Sequence, residues 1–298
     1  MIYTITLNPA LDYTAVLPEL SPGRVNRLGP EQITPGGKGL NVSMMLRRLG
    51  TNSVALGFAA GFTGRELERL LQESGCRTEL IFLPEGCTRI NLKLQPSGTE
   101  LNGQGPSIPR EAAEQLLSRL DRLSTSDYLV LAGNVPPSLP PDSFRRILER
   151  GGASRLLVDC TGEQLRQALS FRPFLVKPNH HELGDLFGEV LSTPDEILSR
   201  ARSLQELGAR NVLVSMGGDG ALLLDEAGGL HSARPPQGQV INPVGAGDSM
   251  VAGFLAGWLE REDYAHAFRM GLCAGSATAF SPWLGGRSQV DSLLAQLS

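Results

Sequence analysis

The chain has 298 residues, 41% hydrophobic and 19% charged, which is the composition of a folded globular protein. A formal charge of −4 gives no footing for nucleic acid or an anionic membrane, and no apolar run approaches the ~18 residues that a membrane span needs. Four scattered cysteines, Cys76, Cys87, Cys160 and Cys273, show no C-x-x-C spacing; this argues against a zinc or disulfide framework and fits free thiols in the cytoplasm.

The N-terminal Met1-Ile2-Tyr3-Thr4-Ile5-Thr6-Leu7 lacks the basic region of a signal peptide and reads as a strand. Further short apolar runs at 53–58, 128–132, 156–159, 174–177 and 212–215 predict buried strands. Amphipathic stretches over 39–49, 64–74, 110–123, 142–150, 163–169 and 194–207 predict helices between them, and two more helices are expected over 246–259 and 264–280. Such alternation predicts βαβ units, hence an α/β fold with a mainly parallel sheet flanked by helices. With no repeat and no obvious linker, residues 1–298 are expected to form one domain.

Two segments, about 12–34 and 87–102, break the alternation. The second contains Thr88-Arg89-Ile90-Asn91-Leu92-Lys93-Leu94, in which Arg89, Asn91 and Lys93 share one strand face and Ile90, Leu92 and Leu94 the other. That pattern predicts a small β lid whose polar face points at a ligand. Its apolar face needs a cover, for which a second copy of the chain is the expected partner. An edge strand with solvated charges is the plainer alternative.

Glycines mark the places where chemistry is expected. Pro35-Gly36-Gly37-Lys38-Gly39-Leu40-Asn41 opens a helix with a cation in its first turn, against the helix dipole. A ligand held by Lys38, Asn41 and exposed amides would justify that arrangement. Lys177-Pro178-Asn179-His180-His181-Glu182 ends a strand and starts a helix; Asn179 and Glu182 have capping-box spacing, and the same pair suits magnesium or phosphate with its water. Ser215-Met216-Gly217-Gly218-Asp219-Gly220 reads equally as a nucleotide contact or a hairpin turn.

Asn242-Pro243-Val244-Gly245-Ala246-Gly247-Asp248 precedes the next helix. Amides converging at such a helix start can bind an anion, and an acid among them can accept a hydroxyl proton. The bland alternative is that Asp248 is a first-turn acid worth about 1 kcal/mol of helix stability. The stretch fails the dinucleotide, Walker A and nucleophile-elbow patterns at Met250, at Gly37-Lys38-Gly39 and at Val251.

Together, Asn8-Pro9-Ala10-Leu11-Asp12, the Gly36-Gly37-Lys38-Gly39-x-Asn41 helix start, Lys177-Pro178-Asn179-x-x-Glu182, Ser215-x-Gly217-x-x-Gly220 and Gly245-Ala246-Gly247-Asp248 resemble, in order and spacing, the PfkB/ribokinase-like carbohydrate kinases. Asn242-Pro243-Val244 stands where ribokinase-like sugar kinases usually carry Asp-Thr and resembles the hexose-phosphate branch, while Thr88-Arg89-Ile90-Asn91 and Thr99-Glu100-Leu101-Asn102 are similar to the 1-phosphofructokinases, close to the tagatose-6-phosphate kinases. The resemblance implies a Rossmann-like sandwich with a β lid that often forms a dimer contact. It implies a kinase taking ATP and Mg2+, with fructose 1-phosphate as acceptor and tagatose 6-phosphate or several hexose phosphates as the alternative.

The roles it implies are these. Asp248 is the base, and Gly245, Ala246 and Gly247 form the anion hole. Asp12, Gly36, Gly37, Lys38, Asn41 and Asn91 hold the sugar, while Arg27, Lys38 and Arg89 hold its phosphate. Lys177, Asn179, Ser215, Gly217, Gly220 and Gly247 contact the nucleotide, and Asn179 with Glu182 supports the metal indirectly. A non-catalytic sugar-phosphate sensor on the same fold is the rival from another class; it would have no need of Asp248.

Overall fold

The computed structural model describes residues 1–152 and 154–297. In chain order the strands are β1 (Ile2–Thr6), β2 (Ala10–Val16), β3 (Glu31–Gly36), β4 (Val54–Ala60), β5 (Arg77–Leu83), β6 (Arg89–Gln95), β7 (Thr99–Asn102), β8 (Tyr128–Ala132), β9 (Arg155–Asp159), β10 (Leu175–Val176), β11 (Asn211–Ser215), β12 (Ala221–Leu224) and β13 (Leu230–Ala233). The helices are α1 (Lys38–Arg48), α2 (Gly61–Glu73), α3 (Arg110–Leu120), α4 (Ser143–Gly151), α5 (Gly162–Leu169), α6 (His180–Phe187), α7 (Pro194–Glu206), α8 (Ala246–Arg261), α9 (Tyr264–Ala279) and α10 (Arg287–Leu294).

Nine strands form the main sheet in the order β13-β12-β11-β10-β9-β8-β1-β4-β5. From β11 to β5 every neighbouring pair is parallel, while β11, β12 and β13 run antiparallel. Parallel strands need crossover helices, which cover both faces. Accordingly β4 and β8 are buried along their whole length. One side chain layer packs Leu56, Leu116, Leu129 and Leu148 with α3 and α4; the other packs Val130, Phe174, Phe254 and Met270 with α8 and α9. Each fully buried residue of this kind contributes roughly 1.5–3 kcal/mol of transfer free energy. The expected strands and helices are all present, with ends shifted by a few residues. The sequence reading passed over β5 because its polar start, Arg77-Thr78-Glu79, hides an edge strand.

Local chemistry sets the boundaries. Thr193 and Glu196 close a capping box ahead of Pro194 at the start of α7, and Gly188 ends α6 in the left-handed region at φ 69°. Helix α8 is apolar nearly all round and packs on α9 through small residues. A Cβ at Gly253 would lie 2.5 Å from the Ala274 Cβ, so the two backbones approach as closely as glycine allows.

The second sheet has four strands in the order β3-β2-β6-β7 and stands over the carboxyl ends of the parallel strands. Its centre is a parallel pair in which Asp12 lies opposite Asn91 and Thr14 opposite Lys93. The polar face carries Asp12, Thr14, Asn91 and Lys93. On the opposite face Ile33, Ile90 and Leu101 are 48%, 46% and 56% exposed while Leu94 is buried, so the apolar side of the lid is covered in part and open at these three residues.

Candidate active site

A cleft of about 850 Å³ lies between the two sheets. Its floor is the row of strand carboxyl ends: Thr6 on β1, Ala132 on β8, Asp159 on β9, Lys177 just past β10 and Ser215 on β11. Parallel sheets place ligands there, because the chain leaves every strand on that side and helices begin with their amides toward it. The polar lid face forms the roof through Asp12, Arg89, Asn91, Lys93, Glu100 and Asn102.

Asp248 sits in the first turn of α8 and is 94% buried, with 6% exposure. Gly245 begins that helix in the left-handed region at φ 81°, which turns the chain sharply into the cleft. Asn41, from the first turn of α1, donates its side-chain amide to Asp248 Oδ2 at 2.8 Å. Burial pushes the Asp248 carboxyl up to about 6, and the charge of Asp159 adds to the rise; the Asn41 hydrogen bond, Lys38 and Lys177 pull it back. The result is a carboxylate that is ionised at neutral pH yet readily protonated, a property that suits moving a hydroxyl proton.

Two lysines converge on Asp159. Lys38 Nζ lies 3.1 Å from Oδ1 and Lys177 Nζ 3.5 Å from Oδ2. Burial disfavours the Lys38 ammonium, but the charges of Asp159, Asp248 and Glu182 outweigh it and hold its pKa above the ordinary lysine range. The anion that answers a lysine at the start of α1 is therefore, in the chain alone, Asp159. A Cβ on Gly247 would come within 3.1 Å of Lys177 Nζ, so glycine at this helix start lets the ammonium pack directly against the backbone. The neighbouring Cys160 thiol is pushed up to about 12 by burial and by Asp159, which makes it an inert wall.

The cleft gathers Asp12, Gly37, Lys38, Asn41, Arg89, Asn91, Lys177, Asn179, Glu182, Ser215, Gly245, Gly247 and Asp248 from the sequence expectations. Gly36 lies just behind the wall: a Cβ there would be 2.3 Å from Asp12 Oδ1, so its absence makes room for that carboxylate. Four more of the expected residues lie outside this lining. Ala246 is outside the lining and its amide donates to the Pro243 carbonyl at 3.1 Å. Gly217 and Gly220 form the turn of the β11–β12 hairpin, with Gly220 N–H bonded to the Gly217 carbonyl. Arg27 is exposed in the loop between β2 and β3, away from the cleft lining.

Asn179 and Glu182 do form the capping box, with both bonds at 2.8 Å. The box uses one carboxylate oxygen of Glu182, and both residues still line the cleft. Among the described residues no group of three His, Cys, Asp or Glu side chains could hold a metal ion directly. Asp159 is the residue that sequence reasoning missed. Its signal was positional: a carboxylate at the carboxyl end of a parallel strand.

The pfkB family carbohydrate kinase model matches residues 6–285. The chain is 44% identical over 300 residues to 1-phosphofructokinase of Bacillus subtilis, covering 100% of this chain and 98% of that protein. It is 35% identical to D-tagatose-1-phosphate kinase of Bacillus licheniformis, again over 100% of this chain and 98% of the relative. A structure of phosphofructokinase-2 from Escherichia coli, in complex with substrates and products, superposes with a TM-score of 0.91 at 29% identity, covering 99% of each chain. The chain belongs to the pfkB family of carbohydrate kinases. It is a phosphotransferase with an alcohol acceptor.

Proposed function

We propose that this enzyme transfers the terminal phosphoryl group of ATP to the free primary hydroxyl of a ketohexose 1-phosphate, with fructose 1-phosphate as acceptor and fructose 1,6-bisphosphate as product. The observation that carries this reading is the buried Asp248, fixed by Asn41 in one cleft with Lys38, Arg89 and Lys177. A neutral acceptor needs hydroxyl partners; an acceptor that already bears phosphate also needs cations, and Arg89 on the lid is suited to that task. The 44% identity to a 1-phosphofructokinase supports the choice of sugar.

In this reading Asp248 Oδ1, the oxygen that Asn41 leaves alone, takes the proton of the attacking hydroxyl. Gly245 and Gly247 lend backbone amides at the positive end of α8, and Lys38 and Lys177 offset charge on the moving phosphoryl group. Asp12 and Asn91 hold sugar hydroxyls. Asn179, Glu182 and Ser215 border the nucleotide phosphates. Magnesium, held by those phosphates and water beside Asn179 and Glu182, would neutralise charge on the nucleotide. Closure of the lid as part of a single 1–298 kinase unit would exclude water and suppress hydrolysis of ATP. The apolar lid face with Ile33, Ile90 and Leu101 fits a second copy, giving a homodimer that works in the cytoplasm, where the four free thiols stay reduced.

A second reading changes only the sugar. The tagatose relative is named for a 1-phosphate, which keeps the phosphate on the same carbon as in fructose 1-phosphate. A coupled ADP-release assay over fructose 1-phosphate, fructose 6-phosphate, tagatose 1-phosphate and tagatose 6-phosphate tests both. The highest kcat/KM is expected for fructose 1-phosphate; a preference for a 6-phosphate overturns the proposal, and binding without ADP release makes the chain a sensor.

A further inference from the structure

Lys93 belongs to no motif, yet it makes a close ion pair in the cleft. Its Nζ lies 2.7 Å from Asp12 Oδ2, with the two side chains only 14% and 12% exposed. Asn91, one residue pair along the same strand face, donates its amide to Asp12 Oδ1 at 2.9 Å. Both oxygens of the Asp12 carboxylate are thus gripped from β6. Each oxygen retains a further lone pair, since a carboxylate has about four acceptor positions.

Two other observations bear on what the grip does. First, Asn91 is 6% exposed and its Oδ1 is buried without a hydrogen-bond partner. Turning the amide over would set this oxygen against the Asp12 carboxylate, so the Asp12–Asn91 bond fixes the orientation and leaves one N–H of the amide uncommitted. Asp12 therefore keeps acceptor positions and Asn91 a second amide N–H beside them at the cleft lining, a mixed set that suits the hydroxyls of a polyol. Second, Asp12 and Lys93 also line a side cavity of about 340 Å³ beyond the cleft, bordered by Thr14, Gln32, Thr34 and Trp283. The carboxylate stands on a partition with polar partners on both sides.

We propose that Lys93 is a positioning residue that fixes the Asp12 carboxylate at the boundary between cleft and side cavity, keeping the Asp12–Asn91 pair set for the sugar hydroxyls. An ammonium already 2.7 Å from a carboxylate is neutralised by it, so Lys93 acts through Asp12 rather than on the acceptor's phosphate. Without it, Asp12 Oδ2 loses its partner and the carboxylate is free to rotate about its bond to Asn91. The inference rests on the reading of Asp12 as an acceptor-binding residue.

The experiment is steady-state kinetics on full-length Lys93→Met, Lys93→Arg, Asp12→Asn and the double variant D12N/K93M, with fructose 1-phosphate and ATP varied separately. Losing a charge-assisted bond of this kind is expected to raise KM for the sugar phosphate in K93M by about 10- to 100-fold, with KM for ATP within about twofold. K93R is expected to recover most of the loss, and D12N/K93M to fall within about threefold of D12N, because coupled residues do not add. An unchanged KM for the sugar in K93M beside a damaged D12N overturns the proposal alone. So does a K93M loss that multiplies fully onto D12N, which would make Lys93 a direct ligand. A D12N enzyme with unchanged sugar KM overturns the acceptor reading and this proposal with it. Retained ATP saturation in every variant certifies that the body is folded.

Discussion

Asn41 Nδ2 lies 2.8 Å from Asp248 Oδ2, joining the first turn of α1 to the first turn of α8 across 207 positions of chain. Each helix aims its N-terminal end at the other, and the carboxylate is held where the two positive ends meet. The burial this requires is what raises the Asp248 pKa, so fixing the base and tuning it are one structural act.

Asp248→Asn should lower kcat by on the order of 10²–10⁴ while ATP still binds, as expected for loss of a general base. Near-normal turnover would remove Asp248 from the mechanism.

The same substitution should stabilise the fold at neutral pH. The native pKa, about 6, exceeds the ordinary value of 3.8. Between those values the folded state binds more protons than the unfolded one, so stability falls as pH rises through the window and the cost is complete above it. D248N escapes this cost, on the order of 2–3 kcal/mol at pH 7 before its neighbours relax. Thermal unfolding should show a higher Tm for D248N at pH 7, with the difference shrinking toward pH 4. An equal Tm at both pH values contradicts the assignment.

The acid limb of kcat/KM should fall near pH 6, and two neighbours should move it in opposite directions. Asn41→Ala removes a bond to the ionised form and shifts the limb upward; Asp159→Asn removes a like charge and shifts it downward. Activity in D159N should still drop, because Lys38 and Lys177 lose their common anchor. A limb that ignores both substitutions belongs to another group.

Gly36→Ala should raise KM for the sugar phosphate with little change for ATP, since the new methyl would displace Asp12. Equal damage to both substrates would mean that the β3 end, rather than Asp12, has been disturbed.

Charge on the outer lid face should separate the proposed dimer. Light scattering is expected to give a two-copy mass for the native chain and a one-copy mass for Ile90→Glu with Leu101→Glu. A native monomer would leave the exposed apolar face without its proposed partner.

Much of this was legible in the sequence. Period-two alternation in 88–94 announced the lid, and glycine-rich helix starts announced both halves of the base site, because backbone demands write themselves in glycine. Asp159 was not legible, for a lone acid at a strand end carries no periodicity; only the sheet brings it beside lysines 121 and 18 positions away. Lys93 showed its face but not its partner, since the parallel pairing of β2 with β6 is a long-range fact. Gly217 and Gly220 were legible as a turn but not as a ligand contact, because a hairpin and a phosphate loop want the same dihedral freedom.

The parallel pairing of β2 with β6 has an evolutionary corollary. The roof of the cleft hangs on two excursions of chain, while its floor belongs to the main sheet and Asp248 to a helix packed on that sheet. A lineage could re-tailor one jaw for another sugar, stereocentre by stereocentre, and leave the phosphoryl-transfer bench untouched.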